Sequence, residues 1–276
     1  MSESATGTSS ASDARLQFDP GFNRLKDCRH GRLLFNHHDM FVGRSLELYG
    51  EYSEAEFHLL SMVLKPGDLV VEVGANIGSL TVPLAKHVGN SGGVYAFEPQ
   101  RLVFQTLCAN LALNSLVNVW AYNLACGETA GSVLVPLMNP SVEHNCGELS
   151  VADQKTGDPT ARIPLDSFGI PKCNLLKVDV EGMELDVLRG ARQLIARFQP
   201  VLYVENDRPQ HSGELIGFIE SLGYDMYWHK PPLFNVDNFM KNPTNVFGTI
   251  VSLNMLCLPK AATSHIEGLE PVKRAG

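Results

Sequence analysis

Two carboxylates and a glycine turn mark the part of this sequence best suited to hold a ligand. Glu72 lies in an apolar, β-branched run, Asp68-Leu-Val-Val-Glu-Val-Gly74, and Glu98 closes a second run, Val94-Tyr-Ala-Phe-Glu98-Pro99, 26 positions after Glu72. A run that opens into glycine, then a helical stretch, then a second run ending on an acid outlines a nucleotide-binding βαβ unit. Gly74 can take backbone conformations closed to other residues, and Gly78 lets a helix start lie close to a ligand or to the strand. At the tip of the second strand a carboxylate can accept both hydroxyls of a ribose. Without a ligand, the same pattern would be a structural turn, with Glu98 capping the helix that follows.

The turn also says which nucleotide to expect. Gly74-Ala75-Asn76-Ile77-Gly78 lacks the central glycine of Gly-x-Gly-x-x-Gly that admits a pyrophosphate. Glu72, just before it, repels phosphate and suits a ligand carrying an ammonium and a sulfonium. S-adenosylmethionine therefore fits better than NAD or ATP.

A second segment is more specific: Leu175-Leu-Lys177-Val-Asp179-Val-Glu181-Gly182-Met-Glu184-Leu-Asp-Val-Leu-Arg-Gly190-Ala191, followed by Leu202-Tyr-Val-Glu205. Together with Val71-Glu-Val-Gly-Ala-Asn-Ile-Gly78 it resembles the FkbM family of S-adenosylmethionine-dependent methyltransferases, over about residues 45–258. The resemblance implies a class I methyltransferase fold: an α/β, Rossmann-like, seven-stranded, mostly parallel sheet with helices on both faces and a terminal antiparallel pair. It implies O-methyl transfer to hydroxyls of sugars or of polyketide and related natural products; the leading expectation is a hydroxyl of a saccharide or glycosylated metabolite, and the alternatives are O- or N-methylation of a polyketide or peptide natural product, or a non-catalytic cofactor-binding protein. The resemblance places Glu72, Gly74, Asn76 and Gly78 along the methionine part of the cofactor, Glu98 on its ribose and Asn123 with Ala125 on the adenine side, with Ala75, Pro99 and Asp179 completing the surroundings.

Lys177 and Asp179 alternate along one strand and so leave the same face. Two opposite charges buried at a strand end are costly unless paired, which makes a structural ion pair one reading. The other is that Asp179, Glu181 and Glu205 form the acceptor site, where one carboxylate takes the proton of an attacking hydroxyl. His229, after Tyr227 and Trp228, is the histidine nearest the ligand edge of the expected sheet, although a surface histidine would look the same. Trp228, Phe234 and Phe239, with Asn235, Asn238, Asn242 and Asn245, would suit a sugar, whose ring stacks on aromatics while amides bond its hydroxyls. They would equally make a packed insert or a dimer contact. No spacing of acids, cysteines or histidines demands a metal, and none is expected.

Composition bounds the rest. With 276 residues and 44% hydrophobic content the chain can bury the core of one large α/β domain. A net charge of −8 without a basic cluster repels nucleic acid at long range, so a small-molecule or saccharide acceptor is expected. The six cysteines show no metal spacing and read as reduced, buried thiols of a cytoplasmic protein. No apolar run approaches the ~20 residues that span a bilayer. Residues 1–14 read as a disordered tail without signal-peptide character, 15–52 as an N-terminal segment or lid, 53–260 as the methyltransferase domain and 261–276 as a C-terminal tail; a homodimer is one further expectation.

Within that domain Ser53-Glu-Ala-Glu56 reads as a capping box opening a helix. Strands are expected over 68–73, 94–98, 118–122, 174–180, 200–205, 224–229 and 248–258, with an added strand over 133–137. Helices are expected after Gly78, where Pro83 would shorten or kink the turn, from Pro99 to about Asn114, from Gly182 through Ile195, and over 212–222. Residues 138–162 read as a long polar loop.

Overall fold

The computed structural model describes residues 21–145, 155–262 and 268–273. The apolar runs form the strands of one sheet whose central parallel members are buried on both faces, while the edge strand at Val119–Tyr122 leaves Trp120 exposed. Leu69–Val73 (β3), Gly93–Phe97 (β4), Val119–Tyr122 (β5), Leu175–Val178 (β9) and Val201–Glu205 (β10) are its parallel members; Tyr224–His229 (β11) and Asn254–Pro259 (β12) are antiparallel. A short strand at Glu270–Pro271 (β13), inside the segment read as a tail, pairs with β11. The order is β13-β11-β12-β10-β9-β3-β4-β5, so the chain reverses direction across the sheet between β3 and β9. This is the class I methyltransferase architecture with one added edge strand.

Helices cover both faces. Glu54–Val63 (α2), Thr81–Val88 (α3) and Arg101–Leu113 (α4) bury Leu60, Leu84 and Leu107 in one core. On the other face Glu184–Arg189 (α5), Arg192–Phe198 (α6) and Pro209–Ser221 (α7) bury Leu188, Ile195 and Ile219. The N-terminal segment contributes a hairpin, Asn23–Cys28 (β1) and Gly31–Asn36 (β2), and Val42–Tyr49 (α1), whose Phe35 and Leu46 join the first core. The fully buried Asn110 of α4 fastens β2, accepting from Leu34 N at 2.6 Å and donating to Leu34 O at 2.9 Å.

Several local expectations are corrected. Ser53 precedes α2 with a left-handed backbone (φ 53°) and makes no capping bond, so the capping box does not form. Pro83 is the third residue of α3, where the N–H it lacks would have had no partner within the helix. The helix expected from Pro99 is α4, which is capped by Gln100, whose side chain accepts from Leu102 N and Val103 N, and Pro99 stands outside it. The helix expected from Gly182 through Ile195 is two, broken at Gly190, where a Cβ would lie 2.1 Å from Gly127 O; Asp166 then caps α6 through Gln193 N and Leu194 N. Within the stretch read as a loop, Asp158–Ile163 (β8) pairs with Gly131–Val135 (β7) and Ala125–Cys126 (β6) in a small separate sheet. In β8 polar and apolar residues alternate, but Thr160 is the buried one and Pro159 and Ala161 are exposed, so apolar character does not mark its inner face.

Candidate functional site

The carboxyl ends of β3, β4, β9 and β10 meet at one cavity of about 300 Å³, where ligands of open α/β sheets bind. Gly74 sits at its base with φ +85°, and a Cβ there would stand 1.7 Å from Asp179 O, so only glycine lets the ends of β3 and β9 close up. Asn76, also left-handed (φ 50°), donates its backbone N–H to Glu98 Oε2 at 3.0 Å, while Glu98 Oε1 accepts from Gln100 N at 2.8 Å. Both oxygens are thereby aimed, and each carboxylate oxygen keeps a lone pair for a ribose hydroxyl. Burial pushes the Glu98 carboxyl up to about 7.

Glu72, 1% exposed, accepts from Thr81 Oγ1 at 2.6 Å and is likewise pushed up to about 7 by burial. It lies directly across the strand pair from Lys177, whose ammonium bonds Asp179 Oδ2 at 2.9 Å. Burial opposes the Lys177 charge, but Asp179, then Glu72 and Glu56, hold it above the usual lysine range. The structural ion pair and the site are thus one object: Lys177 is buried, while Asp179 is 36% exposed and lines the cavity.

Asp179, Glu181 and Glu205 bring one carboxylate oxygen each within 4.8 Å of one another. Burial, and then Asp179, raise Glu181 to about 8 against the pull of Arg208, which bonds it. Burial and the charges of Asp179 and Glu181 hold Glu205 far above the carboxylate range. This trio has the donor set and spacing for a cation, although no sequence spacing called for one.

Of the expected cofactor residues, Glu72, Gly74, Ala75, Asn76, Glu98, Pro99, Ala125 and Asp179 line the cavity. Gly78 and Asn123 do not. Gly78 makes room for helix packing, since a Cβ would meet Leu107 Cδ1 at 2.7 Å, and Asn123 ties the chain by donating to Glu98 O and Pro99 O. His229 is off the cavity wall, its Nδ1 bonded to the Tyr203 hydroxyl at 2.8 Å. The expected acceptor residues are also elsewhere. Trp228 lies along β11 with Lys230 over its ring, and Phe234 and Asn235 line a second cavity of about 430 Å³. Asn238 is fully buried and holds its own loop through Asn235 O and Asn242 O. The wall facing Asp179 comes instead from Phe41, Val42, Tyr52, Ser53 and Glu56, and from Leu233 and Val251–Asn254. No local motif flags these residues; only the unexplained acid of the unformed capping box, Glu56, left a trace in the sequence.

The geometry fits a nucleoside bearing a cation. It offers a carboxylate with two aimed oxygens, a glycine-lined turn without phosphate-binding character, and an acid-rich end beyond it. Comparison with known proteins gives the family. A family model described as Methyltransferase FkbM domain matches residues 72–226. Methyltransferase 1 of Beauveria bassiana is 30% identical over 143 residues, 44% of this chain and 57% of that protein. The 31-O-demethyl-FK506 methyltransferase FkbM of Streptomyces tacrolimicus is 26% identical over 228 residues, covering 70% and 86%. The crystal structure of methyltransferase FkbM from Methylobacillus flagellatus KT aligns with a TM-score of 0.49 at 19% identity, over 73% of this chain and 50% of that one. The chain thus spans little more than half the length of the Beauveria protein and half that of the Methylobacillus one.

Proposed function

The chain belongs to the FkbM family of methyltransferases, the matched residues being more than half of its length, and from that premise we propose that it methylates a hydroxyl of a natural-product or saccharide acceptor. The observation that carries the reading is the pair of buried acids, Glu72 and Glu98, at the ends of adjacent strands on a cavity that continues to Asp179. The cofactor is S-adenosylmethionine, which supplies a methyl group already activated on sulfur.

The chain's own work is then binding and alignment, which is most of what methyl transfer requires. Glu98 holds the ribose diol, Glu72 and the turn at Gly74 the methionine end, and Asp179 takes or attracts the proton of the attacking hydroxyl. Lys177 fixes Asp179 by their 2.9 Å bond.

A hydroxyl on an apolar body is the form of acceptor best supported. Phe41, Val42, Leu233 and Val251 give the cavity an apolar wall, and the Streptomyces relative is named for a demethyl-FK506 acceptor. A saccharide or glycosylated metabolite is the second reading, favoured by the polar groups Ser252 and Asn254 on the same wall. Purified protein incubated with methyl-labelled cofactor and separate pools of polyketide alcohols, nucleotide sugars and lipid-linked saccharides decides between them. Label entering an ether in one pool supports the reading; label entering only amines overturns O-methyl transfer.

Among the described residues no helix is long and apolar enough to cross a membrane.

A further inference from the structure

Glu56 is an acid with no local reason to be buried. It stands in the first turn of α2, where a carboxylate interacts favourably with the helix dipole while remaining in water. Instead it is 6% exposed, and the capping role that its spacing from Ser53 suggests is not made. Burying a carboxylate is costly unless other groups compensate. Burial raises the Glu56 carboxyl above its ordinary range, and the compensation comes from the site: Lys177 draws the carboxyl back toward ionisation, and Asn254 Nδ2 donates to Glu56 Oε1 at 3.3 Å. Both Lys177 and Asn254 line the cavity beside it.

Charge counting gives this arrangement a direction. Lys177 faces three carboxylates, those of Asp179, Glu72 and Glu56, so this end of the cavity carries an excess of acid over base. Such an excess suits a cation, and Tyr52, also on the wall, brings only a neutral phenol, held neutral by burial and by Glu56.

Resting on the proposed function, we propose that Glu56 is an acceptor-end residue of the site: its carboxylate adds negative charge beside the sulfonium, while the proton of the incoming hydroxyl goes to Asp179. Glu56 comes from a helix outside the matched residues 72–226. The chain N-terminal to the matched residues therefore contributes to the methyl-transfer site through α2.

Two cofactor analogues test this without knowledge of the acceptor. S-adenosylhomocysteine is uncharged at sulfur, whereas sinefungin carries a protonated amine at the position of the sulfonium methyl. Calorimetry on the full chain at pH 8 is expected to give tighter binding of sinefungin than of S-adenosylhomocysteine. Glu56→Gln should reduce that preference at least threefold while S-adenosylhomocysteine affinity stays within about twofold. Glu56→Asp should keep most of the preference, and Glu56→Ala should repeat the loss if the amide variant does not fold. Glu54→Gln, on the same helix but facing the second cavity, should change neither affinity. A Glu56→Gln or Glu56→Ala protein that binds S-adenosylhomocysteine normally and keeps the full preference overturns the assignment. A wild-type chain that binds neither analogue overturns the cofactor reading itself, and this inference with it.

Discussion

The two ends of the cavity are built by different means. The cofactor end is set by the sheet: the ends of β3 and β4 fix Glu72 and Glu98, and backbone N–H groups of Asn76 and Gln100 aim the Glu98 oxygens. The acceptor end is set by chain segments that meet only in the folded molecule, from α1 and α2 on one side and residues 233–254 on the other. The second of these is largely irregular, and side chains take the place of a ladder. Asn238 binds its own loop, Asn242 Nδ2 donates to Leu48 O, and the Tyr49 hydroxyl donates to Thr244 O at 2.8 Å. The cofactor end thus has its geometry dictated locally, while the acceptor end depends on contacts between segments distant in sequence.

This contrast should appear most strongly at Asp179, where the two ends join. Asp179→Asn keeps the shape but removes the charge, and general-base contributions are typically about 10²–10⁴-fold. Methyl transfer should fall by that order, while affinity for S-adenosylhomocysteine stays within about tenfold, ~1.4 kcal/mol. Equal losses in both would make Asp179 a structural partner of Lys177.

Glu98→Ala should do the reverse. Two charge-assisted bonds to the ribose, each worth about 1.5–3 kcal/mol, would be lost, so affinity should drop at least tenfold by calorimetry. Unchanged binding in a folded variant would return Glu98 to the role of anchoring Asn76 and Gln100.

How much could be read in advance follows the same division. Every strand of the parallel sheet is a largely apolar run with at least one valine, and Glu98, Asp179 and Glu205 follow or end such runs, so their convergence is legible from strand ends alone. Asn123 also ends a run, yet its amide turns back onto Glu98 O and Pro99 O, a choice made by tertiary packing. The acceptor end is harder to read from sequence for a stronger reason. Trp228 and Phe234 have the chemistry of a sugar platform, but β11 carries Trp228 beside Lys230 and Phe234 packs on Tyr49 with ring centroids 5.3 Å apart. Residue type alone does not say which side of a loop faces the cavity. Glu56 was visible but assigned to a cap, because a capping box is a local pattern and burial is not.

Protonation gives a third, smaller test of the cofactor end. Burial raises Glu72 and Glu98 from 4.5 to about 7, so in the cofactor-free chain their neutral forms are favoured below about pH 7 and their carboxylates above it. That contribution to stability is complete below pH ~4.5 and is lost as pH rises through about 7. The melting temperature without cofactor should therefore decline between pH 5 and 8. Binding that needs an ionised Glu98 should strengthen severalfold across the same window, and an affinity independent of pH would contradict the diol assignment. The smallest effect belongs to Trp228→Ala, which lies off the cavity and should leave the Michaelis constant of any acceptor within about twofold; a large rise would restore it to the acceptor site.

The most direct test is the choice of nucleotide by the unmodified chain. Glu72 and the missing central glycine of the turn oppose a pyrophosphate, while Glu98 and the acid-rich end favour a nucleoside bearing an amino acid. Calorimetric titration should show saturable, one-to-one binding of S-adenosylhomocysteine and no measurable binding of NAD at the same concentration. Tight binding of NAD with none of S-adenosylhomocysteine would contradict the account at its foundation.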